Sequence, residues 1–161
     1  ISSAAAVAAV VSAGINGMDL GEALNLGQQI AQQAEAHGHW VAGGRIASRI
    51  SWARSISVDS DNALLADLLY DVIGTSVASQ ESVVVSFALA QQVAVGEMSA
   101  FDALCMAASL GGDTDTIAAI LGAMLGACLG LESWPVEMIE TVKTVNDLEL
   151  EPLVKGLLTL R

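Results

Sequence analysis

The residues able to do chemistry are concentrated in one tetrapeptide, Asp113-Thr114-Asp115-Thr116. Gly111-Gly112 precedes it, and the uncharged run Thr116 to Leu131 follows. Asp113, Asp115 and Thr116 place three oxygen-bearing side chains within one turn of backbone. Hard oxygen donors suit Mg²⁺, Mn²⁺ or Ca²⁺ rather than zinc. The same carboxylates suit a helix start, where they cap free amides and meet the positive end of the helix dipole. One aspartate is explained that way; two followed by a threonine exceed what a cap needs. An aspartyl phosphotransferase would present its Asp-x-Asp after an apolar strand, but residues 106–110 have a helical pattern. A calcium-binding loop would continue with further polar ligands and a glycine, where this chain has Ile117 and Ala118. Capping and metal ligation both stay open on the residues alone.

The elements that must hold this turn are helices. The pattern predicts nine: Ser2–Ala13, Asp19–Ala36, Arg45–Ser55, a helix carrying Leu64, Leu65, Leu68, Leu69 and Val72, Gln80–Val93, a helix capped by Ser99 and ending near Leu110, Asp113–Leu129, one entered at Pro135 and running to Val145, and Glu151–Leu160. Asp59, Ser60 and Asp61 are candidate caps for the fourth. Val83-Val84-Val85 disfavours the fifth, because β-branched side chains are stiff in a helix. In the seventh, Ala118, Gly122, Gly126 and Gly130 recur every fourth residue, a stripe of nearly bare backbone against which another helix could pack closely. With no polar face, residues 116–129 are expected to be the central buried helix, and Gly126→Leu is expected to overpack it.

Composition agrees. The 161 residues are 53% hydrophobic but only 4% aromatic, with two prolines. This favours packed helices over a sandwich, in a single domain covering residues 1–161. A net charge of −12 argues against a nucleic-acid surface, and six basic residues are too few to hold an anionic membrane. Ile1–Met18 and Thr116–Leu131 are uncharged, but Ala- and Gly-rich, without flanking Lys or Arg. They are expected to be core helices of a cytoplasmic protein rather than membrane spans. Cys105 and Cys128 are expected to be buried reduced thiols. The chain opens at Ile1, directly in helical sequence, as the remainder of something longer would.

Other residues receive plainer assignments. His37 and His39, beside Trp40, belong to a surface loop. Arg45, Arg49 and Arg54 form the basic cluster and could meet a pyrophosphate; with Arg45 and Arg49 one turn apart, pairing with Asp or Glu is the expectation. Trp52 and Tyr70 are expected in the core or half-buried. Gly74-Thr75-Ser76 could offer backbone amides to a phosphate, and Gly74, Thr75 and Gly112 are the candidate substrate-binding residues.

The segment "GGDTDTIAAILGAMLGA" closely resembles the C-terminal signature of the ADP-ribosylglycohydrolases. "SSAAAVAAVVSAGING" looks like that family's mid-protein helix, and "GTSVASQESVVVSFALA" like its following helix and loop. The resemblance spans the chain but only the C-terminal part of the family's domain; the family's N-terminal signature, with its remaining ligands and its acid/base residue, is missing. It implies an all-α orthogonal bundle and two divalent metals, Mg²⁺ or Mn²⁺. It implies hydrolysis of the glycosidic bond at C1″ of ADP-ribose on an ADP-ribosylated substrate. Asp113, Asp115 and Thr116 match the family's C-terminal metal ligands. This stretch by itself is expected to be inactive, and to self-associate through apolar faces left uncovered. The alternative is a non-catalytic helical interaction module or a degenerate member of the family.

Overall fold

The computed structural model describes residues 1–57 and 62–160. Among them are nine α-helices and no strand: α1 (Ser2–Ile15), α2 (Leu20–Ala34), α3 (Ile46–Ser57), α4 (Asn62–Asp67), α5 (Ser79–Ala94), α6 (Ala100–Ser109), α7 (Thr114–Leu129), α8 (Val136–Asn146) and α9 (Leu150–Leu158). A π turn, Leu68–Ile73, prolongs α4. The candidate caps Asp59, Ser60 and Asp61 lie outside the described residues. The expected all-α bundle is observed.

Local chemistry sets the helix starts. Asp19 caps α2, its Oδ1 accepting the Gly21 amide at 2.8 Å. Ser99 caps α6 as expected, its Oγ accepting the Asp102 amide at 3.0 Å. Each bond satisfies an amide that the first helical turn leaves without a partner.

The helix buried on every side is α5. Ser82 to Ala90 are all buried, the three valines included. It packs against α3, α7, α6 and α2. Burial on all faces outweighs the small intrinsic penalty of the β-branched run, because propensity is a weak prior beside packing. Its polar residues are satisfied internally. The Ser86 hydroxyl lies 2.8 Å from the Ser82 carbonyl and 3.2 Å from that of Ile117 on α7. The buried Gln92 side chain donates to the Ser57 carbonyl.

Helix α7 is central as expected, set against α1, α5 and α6. Its burial is one-faced: Ile117, Leu121, Met124 and Leu125 are fully buried, whereas Ala119 and Ala123 are exposed. All-round burial of residues 116–129 is therefore corrected. An Ala/Gly-rich face has no charge to mark it as outward. The close approach comes from the partner helix. A Cβ on Gly14 of α1 would lie 2.6 Å from Cys128 Sγ and 2.8 Å from the Ala127 backbone carbon. A Cβ on Gly126 would meet nothing within 4 Å, so the tight helix contact expected at that glycine lies at Gly14 instead. Cys128 is half-buried and Cys105 exposed, both as free thiols, which corrects the buried placement of Cys105.

Helices α8 and α9 have no buried residue. Leu153, Val154, Leu157 and Leu158 of α9 are exposed, and Val154, Leu157 and Leu158 line an apolar cleft of about 500 Å³ with Ile15 and Leu160. Among the described residues, no helix is long and apolar enough to cross a membrane.

Candidate functional site

The two glycines before the Asp-Thr-Asp-Thr turn have left-handed backbone, φ 89° at Gly111 and 74° at Gly112. That geometry suits glycine and reverses the chain between α6 and α7. Gly112 is additionally pressed against Thr75: a Cβ there would collide with the Thr75 carbonyl and hydroxyl oxygens. The Asp113 amide donates to the same Thr75 carbonyl at 2.7 Å. The start of α7 is thus fastened to the loop before α5.

Asp113 occupies the cap position of α7, yet its side chain makes no capping hydrogen bond. The backbone reason is its φ of −85° and ψ of 54°, away from the extended geometry typical of a cap. Asp115 is exposed in the first turn, with Oδ1 2.9 Å from the Thr116 amide. Thr116 is exposed beside it. The turn therefore holds carboxylate oxygens at the surface that the helix start does not fully use. Among the described residues, no group of three or more His, Cys, Asp or Glu side chains could hold a metal ion. The pair Asp113 and Asp115 fits part of a hard-cation ligand set, not the whole of one.

The loop Gly74-Thr75-Ser76, the candidate phosphate-binding loop, engages two of its amides within the protein. The Gly74 amide donates to the Leu69 carbonyl at 3.0 Å, and the Ser76 amide to Glu81 Oε2 at 2.8 Å. Thr75 is buried. Two of the three amides are thus occupied within the protein, and the Thr75 carbonyl accepts the Asp113 amide. Arg49 braces it from α3: Nε donates to the Gln80 carbonyl at 2.8 Å and Nη2 to the Ile73 carbonyl at 3.1 Å. The Glu81 carboxyl is held below the usual carboxylate range, first by the Ser76 amide and then by the Ser76 hydroxyl, with the Arg49 charge adding to them.

Sequence reasoning missed Glu81, whose only trace was an acidic residue in a helix's first turn, and misassigned Arg49, which binds carbonyls rather than a carboxylate. Arg54 likewise binds Gln91, Gln28 and Asn25 side chains, and its burial lowers its pKa. Arg45 alone of the three meets the expectation, pairing with Glu35 at 2.7 Å. His37 and His39 are exposed, as expected of a surface loop. Trp52 and Tyr70 are exposed rather than half-buried. The Tyr70 ring lies against Gly111, its Cε2 3.3 Å from where a Cβ would stand, beside the aspartate turn.

The family model for the ADP-ribosylglycohydrolases matches residues 1–161. The chain belongs to the ADP-ribosylglycohydrolase family. It is 29% identical over 150 residues to the uncharacterized protein YegU of Escherichia coli (strain K12), an alignment covering 92% of this chain and 44% of YegU. The chain therefore spans less than half the length of that relative. No solved structure matches it. An ADP-ribosylglycohydrolase is by class a hydrolase of glycosidic bonds, and within this chain the turn at Asp113 is where carboxylates meet a braced backbone.

Proposed function

We propose that the complete protein is a divalent-metal-dependent hydrolase that cleaves the glycosidic bond at C1″ of ADP-ribose carried by an ADP-ribosylated substrate. Asp113, Asp115 and Thr116 would contribute oxygen ligands to Mg²⁺ or Mn²⁺. The observation that carries this reading is the Asp113 carboxylate, which stands at a helix cap position without capping. Two such ions supply substrate orientation and stabilisation of developing charge when bound. The chain's own part is to fix the ligands. The Asp113 amide is tied to Thr75, Gly112 allows that contact, and α7 seats the turn on a packed face. With only two carboxylates in the cluster, this stretch alone should bind metal weakly.

The test is calorimetric titration of Mn²⁺ into the complete protein and its Asp113→Asn and Asp115→Asn variants, with ADP-ribose release measured alongside. Each variant should bind metal more weakly and lose release at an unchanged melting temperature. If both bind and turn over as the parent does, the aspartates serve the helix start alone. No metal binding and no release by the unaltered protein would favour the non-catalytic helical module.

A further inference from the structure

Glu81 is an acidic side chain tied into the support of the aspartate turn. It stands on the first turn of α5, and its carboxylate accepts the Ser76 amide. Thr75, the next residue back, presents its carbonyl to the Asp113 amide at 2.7 Å. Gly74, one residue further, has φ 90° and lies so close to Glu81 that a Cβ would stand 2.5 Å from Oε2. Arg49 holds the carbonyls of Ile73 and Gln80, one on each side of the loop. The loop is therefore gripped at both ends by a cation on carbonyls and in the middle by an anion on an amide. Each charge meets the end of a backbone dipole opposite to it in sign, and charge-assisted hydrogen bonds are the stronger kind. The part of the loop bonded to the aspartate turn is the Thr75 carbonyl, and the Thr75 hydroxyl lies beside it against Gly112.

We propose that Glu81 is a positioning residue for the metal-binding turn: by holding Ser76 it sets the Thr75 carbonyl, and the Thr75 carbonyl sets Asp113. Glu81 acts through the backbone and does not itself touch metal or substrate. The inference rests on the metal reading of Asp113 and Asp115, and it adds a residue that the ligand motif does not contain. A side chain holding the loop for stability alone would change the melting temperature and leave metal affinity as it is. A positioning residue changes metal affinity out of proportion to stability.

The experiment uses the complete protein, with Mn²⁺ as the probe. Wild type, Glu81→Ala, Glu81→Gln and Asp115→Asn are compared by calorimetric Mn²⁺ titration, thermal melting, and hydrogen exchange at the Ser76 and Asp113 amides. Glu81→Ala should weaken Mn²⁺ binding about tenfold, the size of losing one charge-assisted hydrogen bond, and both amides should lose protection. Glu81→Gln keeps an acceptor for the Ser76 amide, so its affinity should return to within roughly threefold of wild type. If Glu81→Ala does not fold, Glu81→Leu replaces it, keeping the stem and helix propensity without an acceptor. Wild-type affinity in the acceptor-less variant, with the Asp113 amide still protected, overturns the inference while Asp115→Asn upholds the metal reading. If wild type binds no Mn²⁺, the metal reading fails, and unchanged exchange at Asp113 in Glu81→Ala would show that Glu81 does not set the turn either.

Discussion

Gly112 separates the two things a glycine does in this turn. Its φ of 74° strains other residues, and its missing Cβ lets Thr75 reach Asp113. Gly112→Ala meets both penalties, so it should destabilise by about 1–3 kcal/mol and also weaken metal binding. Urea denaturation and Mn²⁺ titration on one preparation read the two effects. Glu81 adds a pH signature. Its folded pKa is depressed, chiefly by the Ser76 hydrogen bonds. Its contribution is therefore present above the unfolded carboxylate pKa and is lost as the pH falls through the folded one. The melting-temperature gap between wild type and Glu81→Gln should be clear near neutral pH and shrink as the pH falls through the depressed folded pKa. A gap that is constant across that range would mean the carboxylate charge contributes nothing. The Asp-Thr-Asp-Thr turn was legible in the sequence because its chemistry is local. The Glu81 and Arg49 braces were not: Arg49 reaches carbonyls 24 and 31 residues away, and such contacts leave no periodic trace.

The helices themselves were largely legible, because glycine pairs, Pro135 and polar caps punctuate a 3.6-residue apolar pattern. Which helix is enclosed was not. Helix α7 has no polar face and reads as buried, yet Ala119 and Ala123 are exposed. Helix α5 carries Ser82, Ser86 and Gln92, and all three are buried. Serine hydroxyls bonded back to their own helix hide the polarity that a pattern would count as outward. The small-residue stripe likewise pointed to a close helix contact but not to the residue that makes it. Gly14→Ala should separate α1 from α7 and cost about 1–3 kcal/mol. Gly126→Ala, with open space around it, should stay within about 1 kcal/mol and can even stabilise by helix propensity. Chemical denaturation of the two variants decides the matter, and equal losses would refute the one-faced packing of α7.

The molecule is uneven in where its apolar side chains are used. From α1 to α7 they form a continuous core that includes Phe87, Leu89, Leu121 and Leu125, all fully buried. Helices α8 and α9 bury no residue; α9 leaves Leu153, Val154, Leu157 and Leu158 exposed, the last three of them in a cleft beside Ile15. Deleting a buried leucine leaves a cavity as well as losing transfer energy, about 2–5 kcal/mol in all. Deleting an exposed leucine loses little, within about 0.5 kcal/mol. Leu121→Ala and Leu157→Ala therefore make a matched pair with identical chemistry and opposite surroundings. The first should lower the denaturation midpoint strongly, and the second should leave it almost unmoved. An exposed apolar face binds apolar dyes, so Leu157→Ala should reduce dye fluorescence while Leu121→Ala should not. A large stability loss at Leu157 would mean that α9 is packed against the rest of the protein. It would then have to be counted as part of the core that supports α7 and its aspartate turn.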